Sequence, residues 1–173
     1  MSNQDVHRIF ERRGQVLDSE RVPAVLLGTK SLWPDTDPTD GVTLLSGAEV
    51  TMIVMKNSSS GTLAARDTVI FKTGTLGKEI GAVGGAGAMI NGVVDDHVDS
   101  NGVADGKVFL MAVAGPHDCK SGAAITEYAA LIPVATGDVD DSSTPDELFM
   151  GIALEAASGA AENIRCLLAI PGW

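Results

Sequence analysis

The chain has 173 residues, of which 45% are hydrophobic, 20% charged and only 4% aromatic. This length suits one compact domain, with or without an arm, and excludes a conventional multidomain enzyme. The formal net charge of −11 argues against a nucleic-acid groove, because duplex binding needs clustered Lys and Arg. No apolar run approaches the roughly 20 residues that span a bilayer. We therefore expect neither nucleic acid nor a membrane as partner.

The N-terminal stretch differs in charge from the rest of the chain. Residues 1–30 carry five basic and four acidic side chains, a net charge of +1, so residues 31–173 carry −12. The stretch lacks the apolar region of a signal peptide, which predicts synthesis in a cytoplasm. Residues 5–13 have apolar side chains at helical spacing but are too few to form a stable helix alone.

The segment SLWPDTDPTDG at residues 31–41 is rich in turn-forming residues and predicts a linker. The sequence therefore predicts an N-terminal arm and linker at 1–40, followed by a β-domain at 41–173. The alternative interpretation of the N-terminal stretch is a frayed tail. The apolar side chains of this stretch favour an arm that docks on another surface.

Short apolar runs rich in β-branched residues begin near residue 41 and alternate with Gly, Asn, Asp and Ser, a pattern typical of strands. Seven such runs favour an all-β sandwich or barrel. A helix is expected at 121–131, where Ala, Glu and Leu are frequent, and a flexible loop at 78–92. The predicted strands are 48–55, 68–72, 88–94, 107–114, 130–135, 149–155 and 163–170.

Cys119 and Cys166 are far apart in sequence and form neither a disulfide framework nor a zinc pattern. We expect both thiols to be reduced and packed. His117 is close to Cys119 in sequence, which permits the hypothesis of a small hydrolase with a cysteine nucleophile and a histidine base. Proximity in sequence does not, however, ensure that the thiol and its base meet in space. The sequence contains no GxSxG, HExxH or paired CxxC motif. We therefore expect no enzymatic activity.

The segment DDHVDSNGVADGK at 95–107 is the best candidate for a metal site, because closely spaced carboxylates suit calcium. The EF-hand register set by Gly102 is broken, so an Asp- and Gly-rich turn is expected and a calcium site stays the alternative. The acidic run at 137–147 predicts a solvated loop. No cofactor is expected. The candidate ligands are Asp95, Asp96, Asp99, Asn101 and Asp105.

The C-terminal half carries KVFLMAVAG, CKSGAAIT, LIPVATGD and MGIALEAASGAAENIRCLL in this order. This order resembles the small capsid decoration, or cement, proteins of tailed bacteriophages. The resemblance covers about residues 107–170. The positions that match the family pattern are Gly115, Lys120, Gly137–Asp138, Gly151–Ala156 and Ile164–Leu168.

The resemblance implies a compact antiparallel β-barrel or β-tulip-like domain without enzymatic activity. Such proteins are commonly homotrimers that bind the major capsid protein on the outer surface of an icosahedral head and stabilise the expanded capsid. A β-barrel module that binds a glycan or calcium is the alternative, although seven aromatic residues offer few sugar-stacking surfaces. Under the favoured hypothesis, the capsid or subunit contacts of the arm are Arg8, Ile9, Phe10, Arg12, Arg13 and Trp33.

Overall fold

The computed structural model describes residues 3–142 and 149–172, so part of the predicted acidic loop lies outside the described residues. The chain begins with a helix, α1 (Asn3–Ile9), and continues almost entirely in strands. The strands are β1 (Leu17–Asp18), β2 (Lys30–Thr36), β3 (Leu44–Asn57), β4 (Thr68–Phe71), β5 (Glu79–Val83), β6 (Gly92–Val94), β7 (Lys107–Lys120), β8 (Ala130–Pro133), β9 (Val139–Asp141), β10 (Gly151–Ala153) and β11 (Asn163–Ala169).

These strands form one 11-stranded sheet in the order β2-β3-β5-β4-β6-β7-β11-β10-β8-β9, with β1 paired to β7. The prediction of an all-β fold is confirmed. The strand pairs are antiparallel with the exception of β3 and β5, which run parallel, so the expectation of a purely antiparallel sheet is wrong. Because β3 also pairs with β7, five strands form a closed circuit: β3, β5, β4, β6 and β7. Strand directions cannot alternate around an odd number of strands, which accounts for the parallel pair.

The two longest strands, β3 and β7, separate two hydrophobic clusters. Successive side chains of a strand point to opposite faces, and on β7 Val108 and Leu110 belong to one cluster while Phe109 and Met111 belong to the other. The second cluster draws its side chains from the five strands of the closed circuit and their loops. The first cluster lies on the other face and includes side chains from the N-terminal stretch and from β10 and β11.

The N-terminal stretch packs on the chain's own core. Val6 and Phe10 are fully buried, and Leu17 and Trp33 join them in the first cluster. Residues 31–36 of the predicted linker instead belong to β2, which pairs with β3. The apolar side chains that favour a docking arm therefore have a surface to bind within the same chain. A division of the chain at residue 40 stays a prediction.

Two other expectations are wrong. Residues 121–131 form no helix, because Ser121 and Ile125 make isolated β-bridges to Val139 and Ala157, and Tyr128 has a left-handed backbone with φ of 66°. The loop expected at 78–92 contains β5. Among the described residues, no helix is long and apolar enough to cross a membrane.

Candidate functional site

Helix α1 is held by β2. The rings of His7 and Trp33 lie 4.1 Å apart, and the Nε2 of His7 is 3.1 Å from the carbonyl oxygen of Leu32. The indole N–H of Trp33 donates to Ser31 Oγ at 2.8 Å. Ile9 is half-buried and packs against the first cluster. The aromatic anchors expected at an intermolecular contact therefore hold the N-terminal stretch in place.

Arg13 is the centre of a buried ion cluster. Its Nη2 lies 2.9 Å from Asp95 Oδ1 and 2.5 Å from Asp96 Oδ1, and the three side chains are 3%, 0% and 0% exposed. Its Nη1 is 3.5 Å from the carbonyl oxygen of Pro34 on β2. One cation thus binds two adjacent carboxylates and ties the N-terminal stretch to the loop after β6. Buried charges need such pairing, because desolvation is costly.

Gly14 allows the close approach of these two segments. Its backbone N–H donates to Asp95 Oδ2 at 2.7 Å. Its φ is +71°, and a Cβ at this position would lie 2.1 Å from the carbonyl oxygen of His97. Only glycine adopts this conformation without strain and leaves this space free. The Arg13–Gly14 pair and the 95–97 loop are therefore fitted to each other.

The candidate calcium ligands do not converge on one point. Asp95 and Asp96 bind Arg13, and with His97 they offer ligand atoms within 4.8 Å of one another. Asp99 is exposed and accepts the backbone N–H of Asn101, as expected for a turn. Asp105 is exposed and accepts the backbone N–H of Ser60. A metal ion at the 95–97 group would have to displace the Arg13 guanidinium.

Three strands contribute to a second ion cluster beside the first. Arg165 on β11 donates from Nη1 to Asp118 Oδ1 at 2.9 Å and from Nη2 to Asp35 Oδ1. Ser46 donates from Oγ to the other oxygen of Asp35 at 2.6 Å. Burial and the nearby charge of Asp96 raise the pKa of Asp118 to about 6. Arg165 therefore links β2 to β7 and β11.

A cleft of about 540 Å³ opens beside these clusters. It is lined by five carboxylates and two arginines, with His97, whose side chain is 5% exposed, at its wall. Burial lowers the pKa of His97, so the lining is negative at neutral pH. The ionised lining residues are Asp37, Asp96, Asp99, Asp118, Glu155, Arg66 and Arg165.

The residues of the hydrolase hypothesis are sealed in the core. His117 and Cys119 are both 0% exposed. The Nε2 of His117 accepts the backbone N–H of Asp96 at 3.1 Å, and burial lowers the pKa of this histidine to about 3. The sulfur of Cys119 lies 2.9 Å from the Cys166 thiol, which donates to it. A neutral, buried imidazole bonded through Nε2 to the backbone is not positioned to activate a thiol for an external substrate.

Two positions of the family resemblance meet in space. Lys120, at the end of β7, has its Nζ 3.1 Å from the Oδ1 of Asp138. Gly137, which precedes this aspartate, has φ of +85° and packs where a Cβ would lie 2.5 Å from Val83 Cγ1. The lysine strand and the Gly-Asp turn thus form one local unit.

The outward face of the C-terminal strands carries an apolar row. Ile152 on β10 lies directly opposite Leu167 on β11, and both are exposed, at 37% and 44%. Ala130 on β8 is opposite Ile152 and is half-buried, whereas Pro116 on β7, opposite Leu167, is buried. Exposed apolar side chains that adjoin one another mark candidate interaction sites. We call Ala130, Ile152 and Leu167 the outer apolar row.

The sequence contains a signal for this row. The outward positions of the GIALE and NIRCLLA segments hold Ile152, Leu154 and Leu167, where a solvated sheet face would carry polar residues. Of the residues predicted to contact a capsid or another subunit, Arg8 and Arg12 are exposed, whereas Phe10, Arg13 and Trp33 are buried in this chain. Their role in such a contact stays a prediction.

A comparison with solved structures shows the fold. The chain is similar to the crystal structure of the head fiber gp8.5 N base in bacteriophage phi29, with a TM-score of 0.52 and 15% sequence identity. The similarity covers 69% of this chain and 94% of that one. No protein-family model and no curated protein matches the sequence. At this identity the two chains share a fold, and the fold alone.

Proposed function

We propose that the protein is a structural component of a tailed-phage virion, a homotrimeric decoration (cement) protein on the outer surface of the head. In this role it binds the major capsid protein, stabilises the expanded capsid and catalyses no reaction. The observation that carries the proposal is the shared fold with the phi29 head fiber base, which extends over 94% of that chain. The order of motifs in residues 107–170 supports the same class of protein independently.

The outer apolar row supplies a suitable contact surface. It extends across β8, β10 and β11, and it is rigid because strand pairing fixes each member. A symmetric shell offers the same contact many times, and a trimer presents three copies of the surface at once. Modest affinity per subunit therefore adds up to stable attachment. The −12 charge of residues 31–173 suits an outer face that repels nonspecific adhesion.

The structure favours this role over a calcium- or glycan-binding module. Arg13 already occupies the two carboxylates that a cation would need. Trp33 is 5% exposed and faces the core, so its ring is closed to a sugar, whereas Tyr128 is exposed. The protein would be made in the cytoplasm of the phage host and assembled onto the virion.

Sedimentation tests the proposal. The purified protein should sediment as a trimer, and it should co-sediment with expanded heads that lack it but not with immature, unexpanded heads. The unexpanded heads serve as the matched control, because they present the same capsid protein in another arrangement. A monomer that remains in the supernatant with both kinds of head contradicts the proposal.

A further inference from the structure

The two cysteines of the chain lie side by side in the first hydrophobic cluster. Strand register places Cys119 opposite Ile164 and Cys166 opposite His117 on the antiparallel pair β7–β11. The two thiols are thus diagonal neighbours on one face of the sheet. Both are 0% exposed, and their Sγ atoms lie 2.9 Å apart.

We propose that Cys119 and Cys166 are a redox pair that closes to an intramolecular disulfide between β7 and β11. The inference does not depend on the proposed function. A disulfide bond is about 2.05 Å long, so the two sulfurs need to approach by less than about 1 Å. Both cysteines are free in the described state, which is therefore the reduced form of the pair.

The oxidant that fits this chemistry is a small-molecule disulfide such as oxidised glutathione. A thiolate of the pair attacks it, forms a mixed disulfide and releases one glutathione thiol. The thiolate of the other cysteine then attacks the mixed disulfide at the protein sulfur and releases the second glutathione thiol. The protein loses two protons and two electrons, and one oxidised glutathione becomes two reduced ones.

Burial controls the rate of this exchange. Removal from solvent raises the pKa of the Cys166 thiol, and the adjacent Cys119 raises it further. The reactive thiolate is therefore scarce while the sheet is closed. An external disulfide reaches the pair only when β11 separates locally from its neighbours β7 and β10. We expect slow oxidation under native conditions and faster oxidation in urea below the unfolding transition.

The bond would constrain the part of the sheet that carries the outer apolar row. The segment between the two cysteines contains β8, β9 and β10, so a disulfide closes this segment into a loop. Such a loop reduces the freedom of the unfolded chain. We expect the melting temperature of the oxidised protein to exceed that of the reduced protein by about 5–10 °C.

The test uses the full chain, reduced and then equilibrated with a mixture of oxidised and reduced glutathione in urea below the transition. Free thiols are then alkylated, and the product is examined by intact mass and by tryptic mapping without reductant. The expected product is unalkylated and lighter than the reduced protein by about 2 Da. Trypsin cleavage after Lys107, Lys120 and Arg165 should release residues 108–120 and 166–173 as one linked peptide.

The single variants Cys119→Ser and Cys166→Ser are the matched controls, and each should take up at most one glutathione. Two alkylated thiols, or one glutathione on each cysteine of the parent chain, would overturn the proposal. A linked product that melts below the reduced protein would also overturn it, because the bond would then be incompatible with the native sheet. Circular dichroism before and after oxidation shows whether the strand content is retained.

Discussion

The Arg13 guanidinium lies 2.9 Å from the Asp95 carboxylate although 82 residues separate them in the chain. The contact joins the segment after α1 to the loop after β6, and both side chains are almost completely buried. It adds to the burial of Val6 and Phe10 and to the β1–β7 pairing in holding the N-terminal stretch. Loss of the ion cluster should therefore lower the stability of the fold.

Replacement of Arg13 by Gln should lower the free energy of unfolding by about 3–5 kcal/mol, because it leaves the buried Asp95 carboxylate without its cation and Asp96 with only Arg165, 3.9 Å away. Arg12→Gln is the matched control. Arg12 is the adjacent arginine and is exposed, so its replacement should change the stability by less than about 0.5 kcal/mol. Urea unfolding followed by circular dichroism measures both. Equal effects of the two substitutions would contradict the buried cluster.

Phe10→Ala should destabilise the protein by about 3–5 kcal/mol, since the ring is fully buried and its removal leaves a cavity. Leu76→Ala serves as control, because Leu76 is 92% exposed. Thermal unfolding distinguishes the two variants. If Phe10 instead anchored the chain to another molecule, Phe10→Ala would leave the melting temperature of the isolated protein unchanged and weaken only the binding.

Ile152→Glu and Leu167→Glu should each weaken attachment to expanded heads by about tenfold or more, because a charge at the centre of an apolar contact is desolvated without a partner. The variants should remain folded, since both side chains point outward. Leu76→Glu places the same charge at an exposed apolar site elsewhere and should bind normally. Co-sedimentation with heads across a range of protein concentrations measures the affinity of each variant and of the parent chain. Unchanged binding by both row variants would exclude the outer apolar row as the contact surface.

Ionisation of the Asp67 carboxyl group should make the folded protein less stable at neutral pH than at pH 4. Burial raises the pKa of Asp67 from 3.8 to about 6, so the folded state binds this proton more tightly than the unfolded state does. The resulting stabilisation is complete below about pH 3.8 and is lost as the pH rises through about 6.

The variant Asp67→Asn isolates this effect from other carboxylates. Its stability advantage over the parent chain should be largest at pH 7 and should shrink steadily toward pH 4. Urea unfolding of both chains at each pH measures the difference. Asp105→Asn, at an exposed site, is the control and should show no such trend. A constant difference between Asp67→Asn and the parent across this range would contradict a raised pKa.

The strands that the sequence predicts correctly are those in which local pattern and burial agree. The runs at 107–114 and 163–170 correspond to β7 and β11, where β-branched and apolar residues follow one another without strong turn signals. Strand β2 was missed because Pro34 and Asp35 indicate a turn. Its pairing with β3 supplies the stabilisation that its composition lacks, and such long-range pairing leaves no local signal.

The helix predicted at 121–131 fails for the same reason. Its residues have good helix propensity, but propensity is a weak prior that tertiary contacts override. Here the bridges from Ser121 and Ile125 fix an extended path. The buried role of Arg13 could not be predicted either, because arginine is most often exposed and its partners lie in a distant loop. The outer apolar row could be predicted from the sequence, since apolar residues occupy both faces of the last strands.

Electron cryomicroscopy tests whether the protein attaches to the outer surface of the head. Reconstructions would compare heads that lack this protein with the same heads after incubation with it. We expect added density on the outer surface at three-fold positions, into which the 11-stranded fold fits as a trimer. Identical reconstructions, with no added density at saturating protein, would contradict this attachment.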